Sequence, residues 1–261
     1  IYLMYADKSI IEENYASMEK YMDFLAAQKG NNDEPKGYQY YGAGTAYGDW
    51  LSYEDTNRRY VSVCFYAYSA QLMAKMSKVL STSENDTYAG KATQYEQLYN
   101  NIKAEFQQRY INSDGYTLNQ NSQTAYLLAL KLGMFSNEAN AKKALGLLNK
   151  KIISNGNKLS TGFVGTGILN QTLSQFGNDN VAYNLLLQRD NPSWLYSVDQ
   201  GATTIWERWD SYTIERGFQA VEMNSFNHYS YGAVSEWMYR FMAGIGDDGQ
   251  NHGFKHSFLQ L

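Results

Sequence analysis

Cysteine and histidine are scarce in this 261-residue sequence, and basic stretches and membrane-length apolar runs are missing. The single cysteine, Cys64, excludes an internal disulfide and lies within an apolar helical pattern, where a small buried packing residue is expected. The three histidines, His228, His252 and His256, have no Cys, Asp or Glu neighbours at metal-ligand spacing, so no metal site is predicted. His252 and His256 lie in the tail, and no chemistry is expected of them. With 22 basic and 26 acidic residues, a net charge of −4, the chain offers no polycationic face for nucleic acid. No apolar run reaches the length of a membrane span, and the start carries no signal-peptide pattern. The chain opens on Ile1-Tyr2, which suggests a piece of something longer.

What is abundant is tyrosine, 24 residues, amphipathic rings suited to carbohydrate-facing surfaces and equally to half-buried positions. The densest chemistry lies in Thr203-Thr204-Ile205-Trp206-Glu207-Arg208-Trp209-Asp210, with two indoles, two carboxylates and a guanidinium in eight residues. Indoles give a sugar's C–H face a flat apolar platform and dry the carboxyl between them. An extended conformation would place Ile205, Glu207 and Trp209 on one side and Trp206, Arg208 and Asp210 on the other. The competing reading is a Glu207–Arg208 or Arg208–Asp210 ion pair that staples a loop. Tyr47-Gly48-Asp49-Trp50-Leu51 is a second place where a carboxylate adjoins an indole.

Hydrophobic periodicity predicts helices over about 8–28, 58–80, 86–110, 122–133, 137–154, a short one through Ile168, Leu169, Leu173 and Phe176, then 178–188 and 231–243. Ser9 with Glu12 reads as a capping box, Asn85 or Asp86 and Asn137 as helix starts, and Asp114-Gly115 as a turn. On 58–80 the predicted apolar stripe is Val61, Phe65, Tyr68, Leu72, Met76 and Val79. Residues 28–57, with Pro35, form a long polar connection, and such connections in compact domains tend to be functional. Gly165-x-Gly167 lacks the lysine and glycine spacing of a phosphate loop. The tail turns strand-like at Phe254–Leu261. Helical hairpins with almost no strands close into a bundle, a solenoid or a toroid. No fixed-period repeat marks a solenoid. Informative residues collect in alternate connections, as expected of a toroid whose loops ring one pocket.

Five runs carry a resemblance: Gly48-Asp49-Trp50-Leu51, Thr161-Gly162-Phe163-x-Gly165-Thr166, Pro192-Ser193-Trp194-Leu195, Gly201-Ala202-Thr203-Thr204-x-Trp206-Glu207 and Ser225-x-Asn227-His228-x-x-x-Gly232. Together and in this order they resemble bacterial α-L-rhamnosidases of glycoside hydrolase family seventy-eight, over essentially the whole chain. The resemblance implies an all-α fold, part of an (α/α)6 toroid of helical hairpins over 1–244, with 245–261 starting a following β-sandwich domain. It implies inverting hydrolysis of terminal α-L-rhamnose, with a rhamnose-containing carbohydrate as partner and no cofactor. Glu207 matches the general base and His228 a sugar-pocket residue. Trp50 and Trp206 match aromatic positions near the substrate, Asp49 is a candidate hydroxyl acceptor, and Asn227 is a further candidate substrate contact beside His228. The family's general acid, in a run resembling Arg-Asp-Glu-Arg-x-Gly-Trp, has no counterpart here, so the chain is expected to be inactive by itself. Should it turn over, Glu54 and Asp49 are the first suspects for the acid. Trp194 and Trp209 are expected to be scaffold, and Asp199 and Asp210 to orient either Arg208 or the attacking water. Two other readings stand beside this one. A different helical-toroid enzyme, an exo-glycosidase or polysaccharide lyase, would show in a screen of uronate polymers against rhamnosides. A non-catalytic carbohydrate-binding domain would bind sugar without cleaving it.

Overall fold

The computed structural model describes residues 1–29, 37–43, 47–82, 86–247, 249 and 252–260. Pro35, Asn85 and Leu261 lie outside the described residues. In chain order the helices are α1 (Tyr2–Tyr5), α2 (Ser9–Ala26), α3 (Arg58–Leu80), α4 (Asp86–Tyr110), α5 (Gln123–Lys131), α6 (Glu138–Ser154), α7 (Phe163–Gln175), α8 (Asp179–Leu187), α9 (Trp194–Asp199) and α10 (Val234–Trp237). Among the described residues four short strands accompany them, β1 (Tyr212–Thr213), β2 (Gly217–Phe218), β3 (Ile245–Asp247) and β4 (Ser257–Leu259). The all-α class follows from this order, with strands confined to one connection and the tail. The chain divides into two compact units.

One unit comprises Ile1–Ala46, Arg58–Tyr110 and Ala243–Leu261. Its centre is the α3–α4 hairpin, closed by an aromatic cluster in which Tyr60 meets Phe106 and Tyr110 at ring separations of 5.1 and 4.8 Å. The predicted stripe on α3 is corrected in its middle: Val61 is buried as expected and Met76 and Val79 are half-buried, but Phe65, Tyr68 and Leu72 are not part of the buried face. The buried face runs through Tyr60, Val63, Cys64, Ala67, Ala70, Ala74 and Ser77, while Phe65 is 45% exposed and Tyr68 and Leu72 are also exposed. α3 carries apolar residues around most of its girth, and the face of small side chains is the one that lets another helix approach closely. Cys64 is buried as expected, and burial raises its thiol pKa well above the ordinary value. α2 buries Ile11, Tyr15, Met22 and Leu25, and the Tyr15 hydroxyl meets Ser77 Oγ at 2.5 Å.

The Ser9–Glu12 capping box does not form. Lys8 is the residue before the helix, Asp7 accepts the Ser9 N–H at 2.9 Å, and Glu12 pairs with Lys8 at 2.9 Å. An acid one position earlier takes the orphan donor, and a lysine four residues away engages the glutamate. In the tail β3 pairs antiparallel with β4, and the Gly253 N–H donates to the Leu3 carbonyl at 3.0 Å.

The second unit comprises Tyr47–Asn57 and Ile111–Met242. α5 packs on α6 and α7, and α7 on α8, around Leu127, Met134, Leu148, Ile152, Leu159 and Leu169. Side-chain caps set the helix starts. Ser122 accepts the Ala125 N–H at 3.0 Å, Asn137 the Asn140 N–H at 2.9 Å and Ser193 the Tyr196 N–H at 3.1 Å. Asp114 accepts the N–H groups of Tyr116 and Thr117 in the expected turn. The helix expected over 231–243 divides into a 3-10 turn at Ser230–Ala233, the single turn α10 and a π turn at Met238–Met242. The β1–β2 hairpin had no periodicity to announce it, and Gly217 turns it with φ +71°.

Because α5 and α7 begin where α6 and α8 end, the connections 47–57, 155–162 and 188–193 gather at one end of these hairpins. Asp49 and Trp50 lie in the first of them.

Candidate functional site

Asp49 organises this end. It is 5% exposed, and both of its oxygens point at the start of α7. Oδ2 accepts the Thr124 hydroxyl and the Gly162 N–H (2.8 Å), and Oδ1 accepts the N–H groups of Val164 (2.8 Å) and Gly165 (3.1 Å). Burial pushes its pKa up, while the Thr124 hydroxyl and the three backbone donors pull it back. A carboxylate has about four acceptor positions, and these four donors fill them. Asp49 is therefore corrected from a sugar-hydroxyl acceptor to an internal anion that caps α7, the role a bound phosphate plays at other glycine-rich helix starts.

The motif around it now has physical reasons. A β-carbon at Gly162 would drive into the Trp50 carbonyl oxygen, and one at Gly165 into the Thr124 and Thr161 side chains. Thr161 Oγ1 meets Thr166 Oγ1 at 2.7 Å, and the Thr161 carbonyl accepts the Trp209 indole N–H at 2.9 Å. The Phe163 N–H donates to the Trp50 carbonyl at 3.0 Å. Trp50 itself is 38% exposed, with Tyr47 edge-on at 5.8 Å, so its ring keeps an accessible face.

The octapeptide 203–210 is not a regular extended strand. Only its first half pairs: the His228 N–H donates to the Ile205 carbonyl at 2.8 Å, the Glu207 N–H to Ser225 O at 2.9 Å, and the Thr204 hydroxyl to Phe226 O. From Arg208 the chain turns, with the Ser211 N–H on the Arg208 carbonyl at 3.3 Å. The turn overrides the expected alternation. Trp206, Trp209 and Asp210 are buried, and Glu207 and Arg208 are half-buried.

Of the two ion pairs that the sequence left open, Arg208–Asp210 forms, at 3.1 Å. Asp210 also accepts Gln219 Nε2 at 2.8 Å and Arg216 at 3.3 Å, so it braces the β1–β2 hairpin. Asp199 pairs with Arg189. Glu207 stays outside these pairs: Oε2 accepts the Ser225 N–H at 2.8 Å, and Oε1 has no hydrogen-bond partner among the described residues. Trp206 is 7% exposed and packs edge-on against Phe226 at 5.2 Å, which leaves it little ring for a sugar. Trp194 and Trp209 are scaffold as expected, joined edge to face at 5.4 Å, with Trp209 stacked on Tyr231 at 3.8 Å.

His228 stacks on Phe163 at 4.9 Å and on Tyr229 at 5.1 Å. Its Nδ1 accepts the Ser230 N–H at 3.3 Å, which leaves the proton of a neutral ring on Nε2. Asn227 is exposed beside it, its N–H on Ser225 Oγ at 3.1 Å. Phe163 thus joins Trp50 to His228, through a backbone bond and a ring contact, and the His228 N–H reaches Ile205, two residues before Glu207, which itself bonds to Ser225. Sequence reasoning gave no role to Phe163, which carries the imidazole, or to Ser225, which holds Glu207. Both stand inside quoted motifs, but a backbone N–H has no signature in residue type. Glu54, a suspect for the acid, is engaged by Lys151 at 2.5 Å and by the Gln123 N–H and Ser160 hydroxyl, each at 3.0 Å. Among the described residues no group of His, Cys, Asp and Glu could hold a metal ion, and no helix is long and apolar enough to cross a membrane.

Helical hairpins with a carboxylate, an imidazole and an open indole in their connections are the class of architecture seen here. Comparison with known proteins makes the class specific. The family described as the bacterial alpha-L-rhamnosidase 6 hairpin glycosidase domain matches residues 1–242. An alpha-L-rhamnosidase of Formosa agariphila is 37% identical over 253 residues, which covers 94% of this chain and 26% of that protein. Another, of Streptomyces avermitilis, is 37% identical over 246 residues, with 94% and 22% covered. The crystal structure of the Streptomyces avermitilis enzyme complexed with L-rhamnose superposes with a TM-score of 0.84 at 36% identity, over 98% of this chain and 23% of that one. The chain belongs to the bacterial α-L-rhamnosidase six-hairpin glycosidase family, and it spans about a quarter of the length of these relatives.

Proposed function

We propose that this chain is part of a glycoside hydrolase that removes terminal non-reducing α-L-rhamnose from glycosides or polysaccharides with inversion, and that Glu207 is its general base. The observation that carries the base assignment is the state of the Glu207 carboxylate. One oxygen is held by the Ser225 N–H, the other is without a partner among the described residues, and Arg208 is drawn off by Asp210. A base needs that combination of fixed orientation and one open lone pair. In the step proposed, Oε1 takes a proton from water as the water oxygen bonds to the anomeric carbon. The glycosidic C–O bond breaks on the opposite face, and a second carboxyl protonates the leaving oxygen. The Trp50 ring suits the apolar face of the sugar, and His228 Nε2–H and Asn227 suit its hydroxyls. Rhamnose as the sugar follows from the family and from the rhamnose bound to the Streptomyces avermitilis relative.

Inverting hydrolysis holds its two carboxyls about 6.5–9.5 Å apart. Asp49 and Glu54 are both engaged in structural bonding, so the acid is proposed to come from residues of the longer enzyme outside these 261. The 261-residue chain by itself should then show no appreciable rhamnosidase turnover. In the full-length enzyme, Glu207→Gln should lower kcat by about 10²- to 10⁴-fold with rhamnose affinity nearly intact. Steady-state kinetics with an aryl rhamnoside and a direct rhamnose titration read the two halves. Ordinary turnover in that variant removes Glu207 from the role.

A further inference from the structure

Between α2 and α4, which both pack on α3, lies a cleft of about 530 Å³. All of its lining belongs to the unit built on the α3–α4 hairpin. Each wall is one helix face, Met22, Asp23 and Ala26 on α2 and Gln94, Tyr95 and Leu98 on α4, and Tyr66 of α3 joins them. We propose that this cleft is a carbohydrate site that holds a neutral pyranoside without cleaving it. Its volume lies in the range of small-molecule sites. That the pyranoside belongs to a rhamnose-bearing substrate rests on the hydrolase reading; the chemistry of the cleft does not.

Two phenols mark the site. Tyr66 is 2% exposed and Tyr95 6%, yet neither hydroxyl has a hydrogen-bond partner among the described residues. Neither belongs to the polar atoms sealed from solvent, and both side chains line the cleft, so the two hydroxyls open onto it. An O–H group held this deep gains from a ligand that supplies an acceptor. Burial raises both pKa values, Tyr66 to about 12, and the Glu19 and Asp23 charges raise Tyr95 further. Both phenols therefore stay protonated donors.

The charges around them select a neutral ligand. Lys91 pairs with Glu19 at 2.8 Å, so no unanswered cation waits for an anion. The Asp23 carboxylate accepts no hydrogen bond among the described residues, and its charge reaches both Lys91 and Tyr95. A cation would answer Asp23 and leave the phenol O–H groups without an acceptor. An anion would answer the phenols and be repelled by Asp23. A sugar's vicinal hydroxyls both donate and accept, so they meet Asp23 and the phenols together. Met22, Ala26 and Leu98 give its C–H face an apolar bed, and Gln94 adds an amide that serves in either sense. With Glu19 tied to Lys91, the described lining has no second open carboxyl with which to hydrolyse the sugar.

The test is titration of the 261-residue chain with methyl α-L-rhamnopyranoside, methylguanidinium and acetate, followed by amide NMR shifts. The rhamnoside should shift Tyr66, Gln94 and Tyr95, and the two ions should not. Tyr95→Phe, which keeps the packed ring, should weaken the rhamnoside at these residues by about threefold to tenfold. Asp23→Asn, at an exposed position, should weaken it by about tenfold. Three results overturn the site: silence at these residues with both the rhamnoside and methyl α-D-glucopyranoside, methylguanidinium shifts of equal size, or affinity unmoved by both substitutions. Shifts with the glucoside alone would keep the carbohydrate site and detach it from a rhamnoside substrate. No turnover is measured, so ordinary turnover in the Glu207→Gln enzyme leaves this site standing, and a silent cleft leaves Glu207 its role.

Discussion

Asp49 and Glu207 look alike in the sequence, each a carboxylate beside an indole in a connection between helices, and the fold uses them in opposite ways. Asp49 is sealed, with four donors on four acceptor positions, and its tryptophan is the open one. Glu207 is half-buried with one oxygen held and one unpartnered among the described residues, and its tryptophan is packed away. What distinguishes them is the backbone each faces. A helix start presents several parallel N–H groups and saturates an acid. The edge of a two-segment pairing such as 205–207 with 225–228 presents a single N–H and leaves the acid half free. How open a carboxylate stays here depends on how many backbone donors converge on it, more than on the neighbouring ring.

The largest expected effect that would test this contrast is at Asp49. Asp49→Ala strands the N–H groups of Gly162, Val164 and Gly165 and the Thr124 hydroxyl in a dry site, and should cost about 3–5 kcal/mol of stability. Chemical denaturation of the full chain measures it. A loss below about 1 kcal/mol, with rhamnoside hydrolysis abolished in the full-length enzyme, would return Asp49 to the sugar-binding role. A smaller effect is expected at Gly162, whose missing side chain lets the Trp50 carbonyl, the Ser52 N–H and the Asp49 carbonyl crowd against it. Gly162→Ala must push backbone aside and should cost about 1–3 kcal/mol. It should also raise KM for rhamnosides, because the segment that moves carries Trp50. Unchanged KM together with lowered stability would separate the Asp49 cap from the site it is argued to position.

The same contrast explains what the sequence made legible. Helices α3 to α6 and α8 were placed within a few residues, because caps such as Asn137 and long apolar periodicities are local signals, whereas α7 starts at Phe163, inside the glycine-rich run expected to lead into it. The α3 face was misread because choosing between two apolar stripes depends on the partner helix: small residues win by allowing close approach, where bulk alone favoured Phe65 and Tyr68. In the site, residue types pointed to Glu207, Trp50 and His228; the structure joins Trp50 to His228 through Phe163 and bonds Glu207 to Ser225. The saturation of Asp49 and the burial of Trp206 were hidden because each depends on backbone groups or on residues far along the chain, whereas the Arg208–Asp210 pair was one of two that the sequence left open. The 203–210 alternation failed for a related reason: Ser211 and the β1–β2 hairpin impose a turn that the octapeptide itself does not encode.

The smallest expected effect on stability is at Trp50, and there the contrast is sharpest. An indole in the core costs several kcal/mol to remove, whereas an exposed one that contacts little costs the fold almost nothing. Since the Trp50 ring keeps an open face and only its backbone carbonyl is tied to Phe163, Trp50→Ala should change stability by no more than about 1 kcal/mol. Its loss should appear in binding, as about a tenfold rise in KM for rhamnosides in the full-length enzyme, the magnitude of one lost aromatic platform. Trp206→Ala should do the reverse, lowering stability through the loss of its packing on Phe226 and moving KM only as far as Glu207 follows. If Trp50 instead proves costly to the fold and silent in KM, the open indole is a scaffold residue, and the sugar platform must be sought on another ring of this end, with Tyr47 the nearest.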